Sequence, residues 1–103
     1  VFAIGDVNVV PSGDFAIPKA GVFAAGQGTK VGEVIASRIN ETDEPDPYEG
    51  VGFCYMSYSG GRSATVGGEF LAEGGPQTIL SEPTVSGMKS KDRFERDWRN
   101  FKI

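Results

Sequence analysis

The sequence predicts an α+β chain in which a strand, a loop and a long helix precede a small antiparallel sheet and a terminal helix. Apolar residues recur at three- and four-residue spacing within 31–39, as on one face of a helix. Two strand-like runs flank the Ser-Gly-Gly sequence at 59–61, which is typical of a hairpin turn. Three aromatic residues recur along one helical stripe between 94 and 101. Together these patterns place strands and a helix after a helical first half.

The first unit opens with an apolar run at residues 1–4 that ends in Gly-Asp, and we predict the end of a buried strand there. Residues 7–18 are rich in Pro, Gly, Ser and Asp, which predicts a loop. The helical pattern extends over residues 20–41. Each glycine inside a helix costs up to about 1 kcal/mol relative to alanine, so their number here indicates close packing against another backbone or a cofactor. These glycines are Gly21, Gly26, Gly28 and Gly32.

The second unit follows an acidic, proline-containing linker, TDEPDPYEG. The predicted division is therefore 1–41, a linker at 42–50, and 51–103. The predicted elements of the last part are a strand over 51–58, a return strand over 62–71 with a bulge at Gly67-Gly68, a short strand over 77–81 and a helix over 90–102.

Composition excludes several classes of function. The 103 residues carry a net charge of −4, which argues against general nucleic-acid binding. The absence of histidine removes Ser-His and Cys-His catalytic pairs and most zinc sites, so no metal site is predicted. With one cysteine, no disulfide can form within the chain. No apolar run is long enough to span a membrane.

The Gly5-Asp6 pair has a physical reason to bind a ligand. A carboxylate just past the carboxyl end of a strand lies where α/β folds bind ligands, and it can accept hydrogen bonds from hydroxyl groups. The helix that begins near Lys19-Ala20-Gly21 presents free N–H groups and a partial positive charge. A turn residue at a strand end and a solvated lysine are the alternative interpretations.

The phrases VFAIGD and PKAGVFAAGQG together resemble the carboxyl-terminal part of FAD-dependent pyridine nucleotide-disulfide oxidoreductases. Within them the chain is most similar to the sulfide-oxidising branch of flavocytochrome c sulfide dehydrogenase, sulfide:quinone oxidoreductase and related NAD(FAD)-dependent dehydrogenases. The resemblance is strong over 1–35, continues through YEGVGFCY at 48–55, and is looser to the end. It implies that residues 1–41 are the end of an FAD-binding domain.

The resemblance also implies roles for individual residues. Asp6, after Gly5, would hold the ribityl chain of FAD. The helix end at Ala20 and Gly21, with the charge of Lys19, would face the N1–C2=O edge of the flavin and stabilise its reduced, anionic form. No G-x-G-x-x-G sequence is present, so the adenosine half of the site is expected from preceding residues. As a carboxyl-terminal fragment, the chain is expected to bind FAD poorly, to be inactive alone and to self-associate.

Cys54 has two interpretations. Most free cysteines are small buried hydrophobes. The resemblance instead implies that Cys54 is one half of a redox-active pair, which sulfide attacks to form a persulfide before electrons pass to the flavin. Its partner cysteine would then lie outside this chain. We favour the catalytic role.

The terminal helix also has two interpretations. By resemblance it could anchor the protein at a membrane near quinone, but its acidic residues dilute the basic face, which favours packing of the aromatic stripe on the sheet. Location is thus open between periplasmic and membrane-peripheral. The predicted function is sulfide dehydrogenation through FAD, with cytochrome c or quinone as acceptor. The alternatives are an NAD(P)H-dependent flavin dehydrogenase that does not use Cys54, and a non-enzymatic binding or oligomerisation module.

Overall fold

The computed structural model describes residues 1–101 and confirms the mixed α+β class. The described chain forms two helices and two antiparallel sheets, one of two strands and one of three. The small sheet and the first helix come from the amino-terminal part, and the larger sheet and second helix come from the rest.

The prediction of a strand at residues 1–4 is wrong. These residues pair with no other strand of the described chain, and a short 3₁₀ turn follows at Gly5–Val7. An extended segment becomes a strand only where a neighbour satisfies its backbone groups, and none lies beside it. Within the predicted loop, β1 (Pro11–Ser12) and β2 (Phe15–Ala16) pair as a small hairpin across Gly13, which has φ of +59°.

Helix α1 spans Gly21–Ile39, within the predicted range. It buries one face, from which Phe23 and Gln27 point into the molecule one turn apart. Close packing of a helix glycine against another backbone is not found within residues 1–101: an added Cβ at Gly26 would lie 3.2 Å from the side-chain ring of Tyr48, and at Gly21 and Gly32 it would meet nothing within 4 Å. The linker therefore packs against α1 through a tyrosine.

The three-stranded sheet has the order β3–β4–β5, with each strand antiparallel to its neighbour. Strand β3 (Val51–Tyr58) and β4 (Arg62–Glu69) pair residue for residue along their whole length. The predicted bulge at Gly67-Gly68 is therefore wrong; Gly67 is needed because a Cβ there would lie 2.7 Å from that of Phe53. Strand β5 is Gln77–Leu80 and pairs with the end of β4.

Helix α2 spans Val85–Arg99 and begins well before the predicted start at Ser90. The start is set by Thr84, whose side-chain oxygen accepts a hydrogen bond from the N–H of Gly87 at 2.8 Å, the usual arrangement at a helix N-cap. Lys102, the predicted last residue of this helix, lies outside the described residues.

The buried core joins the two units. Ile17, Phe23 and Phe70 form its centre, and the rings of Phe23 and Phe70 meet edge to face with centroids 5.1 Å apart. Ser12 is also buried and donates a hydrogen bond to the carbonyl of Phe70 at 2.5 Å. The core therefore fixes α1 and the small hairpin against the far end of β4.

Candidate functional site

Four of the five predicted cofactor contacts lie around one small cavity at the start of α1. Gly5 and Asp6 form one wall, and Lys19 and Ala20 form part of another. Gly21 lies just outside this cavity, in an adjoining apolar groove. The fold thus brings together two short segments that are separated by the β1–β2 hairpin.

The turn that carries Asp6 is held in place by hydrogen bonds to a glutamine of α1. Gly5 has φ of +67°, a conformation that glycine adopts without steric cost. The side-chain oxygen of Gln27 accepts hydrogen bonds from the Gly5 N–H at 2.7 Å and from the side-chain amide of Asn8 at 3.3 Å. Gln27 was not singled out from the sequence; its place one turn after Phe23, on the face that packs inward, is the signal that could have revealed it.

Lys19 joins the two segments. Its Nζ donates a hydrogen bond to the backbone carbonyl of Asp6 at 2.6 Å, while the lysine side chain remains exposed. The carboxylate of Asp6 is also exposed and accepts no hydrogen bond or ion pair from the described residues. The Lys19 ammonium and the Asp6 carboxylate are therefore both exposed on this surface, and they form no ion pair with each other.

The amino terminus of α1 has no side-chain cap. The carbonyl of Ala20 accepts hydrogen bonds from the N–H groups of Phe23 and Ala24, at 3.1 and 3.2 Å. The N–H groups of Gly21 and Val22 find no acceptor within residues 1–101. A Cβ added at Gly21 would meet nothing within 4 Å, so this helix end opens to solvent. It can accept an anionic group from outside.

The size of the cavity limits how a flavin could bind. Its volume is about 10 Å³, which is close to the least space that holds one water. An isoalloxazine ring cannot enter it. A flavin could contact these residues only if its ring and ribityl chain lay across the outer surface, where Asp6, Lys19 and Gly21 are all exposed. There the carboxylate, the ammonium group and the helix end suit the hydroxyl groups and the anionic edge of a flavin in chemical character.

Cys54 lies in the middle of β3, paired with Val66, and does not line this cavity. It shares a strand face with Gly52 because side chains alternate along a strand, and the Cβ position of Gly52 lies against Phe23 of α1. Burial raises the pKa of the Cys54 thiol, which favours the thiol over the thiolate. Burial is the only cause of this shift, and no charged neighbour among the described residues lowers the pKa of the thiol.

The aromatic stripe of α2 only partly packs on the sheet. Phe94 meets the rings of Phe53 and Tyr55, with centroids 5.5 and 5.6 Å away. Trp98 remains 48% exposed and Phe101 69% exposed. With Ala20, Gly21 and Val22, four of these aromatic residues line an apolar groove of about 210 Å³ beside the start of α1.

Two further features bear on the candidate site. Neither helix within residues 1–101 has the length and apolar character needed to cross a membrane. The same residues contain no group of three or more acidic or thiol side chains arranged to hold a metal ion.

Comparisons with protein-family models, curated proteins and solved structures find no match for this chain.

Proposed function

We propose that the surface at the start of α1 binds the ribityl chain and the N1–C2=O edge of FAD in an oxidoreductase. The observation that carries the proposal is the meeting of Gly5-Asp6 with Lys19-Ala20, tied by the 2.6 Å hydrogen bond from Lys19 to the carbonyl of Asp6. These are the residues on which the flavoprotein resemblance depends.

Each residue has a separate task in this proposal. The Asp6 carboxylate accepts hydrogen bonds from ribityl hydroxyls, since it is exposed and has no partner among the described residues. The free N–H groups at Gly21 and Val22 and the charge of Lys19 stabilise negative charge on reduced flavin. Gln27 holds the Gly5 turn and so positions Asp6. FAD, when bound, supplies a two-electron acceptor.

We further propose that Cys54 is one half of a disulfide whose other cysteine lies outside this chain. Hydrosulfide attacks one sulfur, so that a new S–S bond forms as a persulfide and the old S–S bond breaks. The other sulfur leaves as a thiolate. When this thiolate and the deprotonated persulfide together lose two electrons, a new S–S bond joins them as a trisulfide; FAD, when bound, would be the acceptor of those two electrons, with cytochrome c or quinone as the later acceptor. In the disulfide state the raised thiol pKa of Cys54 is no obstacle.

A second candidate is NAD(P)H-dependent flavin reduction in which Cys54 takes no part. The observations that favour it are the mid-strand position of Cys54 and its burial, which raises the pKa of the thiol. A reactive cysteine usually has a lowered pKa from a nearby cation or helix end. Cys54 would then be a small packing residue of the sheet.

Flavin contact is tested by titrating the isotope-labelled chain with FAD and following backbone amide shifts by NMR. We expect shifts at Gly5, Asp6 and Lys19–Val22, with tighter binding of dithionite-reduced FAD than of oxidised FAD. D6N should weaken the response, whereas the control D14N, an exposed loop aspartate away from the cavity, should not. Shifts spread over other surfaces, or an equal effect of both variants, would refute the proposal.

The role of Cys54 is tested in the proposed flavoprotein, in which this chain is joined to a nucleotide-binding part. Sulfide should bleach the flavin absorbance under anaerobic conditions, and C54S should abolish bleaching by sulfide while leaving chemical reduction by dithionite intact. Bleaching by NAD(P)H in both proteins, with sulfide inactive, would support the second candidate. Sulfide bleaching that survives in C54S would refute the catalytic role of Cys54.

A further inference from the structure

Strand β5 forms an open edge of the three-stranded sheet. It lies outermost in the order β3–β4–β5, and all four of its residues are exposed. Ile79 is 78% exposed and Leu80 is 57% exposed. Neither a charged residue nor a proline interrupts the strand, although these are the usual means by which edge strands avoid pairing.

The hydrogen-bond pattern identifies which backbone groups are free. The N–H of Ser81 bonds to the carbonyl of Thr65 on β4, so Ser81 points its backbone groups inward. Because these directions alternate along a strand, Ile79 also points inward, and Thr78 and Leu80 point their N–H and C=O groups away from β4. The open edge therefore presents two donors and two acceptors.

These free groups are self-complementary. A two-fold axis normal to the sheet at Ile79 places Ile79 opposite Ile79 of the second copy and Thr78 opposite its Leu80. Residues opposite each other then lie on the same face of the sheet, as antiparallel pairing requires. Each Thr78–Leu80 pair exchanges two hydrogen bonds, which makes four, and the Ile79 pair falls at the close, non-hydrogen-bonded position.

We propose that β5 is a dimerisation edge that pairs antiparallel with β5 of a second copy, forming a continuous six-stranded sheet. The pairing has a defined end because Pro76, which precedes β5, has no N–H to extend the ladder. The contact is short, so it belongs to the small, weak class of interfaces and forms at high protein concentration. This inference does not depend on flavin binding.

The first test is sedimentation velocity of the chain at increasing concentration. We expect a reversible monomer–dimer equilibrium that I79K abolishes, because the two lysines would lie directly opposite each other. I39K is the matched control: Ile39 is 75% exposed on α1, away from the sheet. An equimolar mixture of I79K and I79E should recover the dimer by charge pairing, which separates loss of pairing from loss of folding.

The second test fixes the register by oxidative cross-linking in a C54S background. I79C should form an intermolecular disulfide readily, because residue 79 lies opposite itself. Q77C, on the same face but opposite Ser81 of the second copy, should cross-link at least tenfold more slowly. A chain that remains monomeric at millimolar concentration, or equal cross-linking by both cysteines, would overturn the proposal.

Discussion

Replacing Gly52 with alanine is the sharpest test of how the two units are joined. The added Cβ would lie 2.6 Å from Cε1 of Phe23 and 2.9 Å from Cγ1 of Val22, whereas ordinary contact begins near 3.4 Å. Phe23 is 1% exposed and its ring is fixed against Phe70, so it has no free space into which to turn. Gly52 is not in the left-handed region, so the whole cost of the substitution is overpacking.

Overpacking of this kind costs about 1–3 kcal/mol. For a small domain whose total stability is of the order of 5–15 kcal/mol, a loss of about 2 kcal/mol is easily measured. With a urea dependence of about 1–3 kcal/mol per molar, it lowers the unfolding midpoint by about 1 M. Equilibrium urea unfolding followed by tryptophan fluorescence and by far-UV circular dichroism measures this shift for G52A.

The matched control is G32A. An alanine at Gly32, inside α1, meets nothing within 4 Å, and its helix propensity and reduced unfolded-state entropy stabilise the chain by about 0.5–1 kcal/mol. The two substitutions are chemically identical and have opposite expected signs. If G52A is as stable as the parent chain, the close approach of β3 to α1 through Phe23 is not present in solution.

Three further predictions follow from local contacts. T84A removes the acceptor for the Gly87 N–H and should lower the free energy of unfolding by about 1 kcal/mol, measured by urea unfolding. The control is T29A, at an exposed position inside α1 that caps no helix, which should not lower it. Q27L leaves the Gly5 N–H without its acceptor; it should cost about 1–3 kcal/mol and should weaken FAD-induced shifts at Asp6, and unchanged shifts would contradict a positioning role. Because burial raises the pKa of Cys54, alkylation by iodoacetamide should reach half-maximal rate at higher pH in the folded chain than in urea. The contribution of the protonated thiol to the free energy of unfolding is fully present below the thiol pKa of the unfolded chain, and it is lost as the pH rises through the higher pKa of the folded chain. Identical alkylation profiles in the folded and unfolded chain would refute the shift.

Local pattern was sufficient to predict much of the fold. The bounds of β3 follow from an apolar run between Gly50 and a Ser-Gly-Gly turn, because both ends carry residues that favour turns. The pattern places the start of α2 too late, because Gly87 interrupts the helical spacing begun by Val85 and Met88. The local signal for the true start is Thr84, a residue type that favours the N-cap. The bridge between Thr84 and Ser63, which local sequence does not reveal, fixes this residue against β4.

The candidate site shows the same limit. Motif residues identified the segments at Asp6 and Lys19, but the support from Gln27 depends on which face of α1 is buried, and that is decided by packing. Likewise the strand predicted at residues 1–4 required a pairing partner that the sequence pattern cannot supply. The chain alone therefore indicates residues of the candidate site such as Asp6 and Lys19 more readily than a supporting residue such as Gln27.

The contact between Phe23 and Gly52 has a consequence for the proposed chemistry. Phe23 follows the helix end that would face the flavin, and Gly52 lies two residues before Cys54 on the same strand face. Gly52 and Cys54 are therefore about 7 Å apart along β3. Because Gly52 has no side chain, the strand approaches α1 directly at this point. A larger residue at Gly52 would displace the cysteine strand and the helix end from each other, so it should impair sulfide reduction of the flavin more than flavin binding. If the proposed flavin chemistry holds, G52A in the FAD-loaded protein should retain FAD but bleach more slowly with sulfide, and equal loss of both would indicate general destabilisation instead.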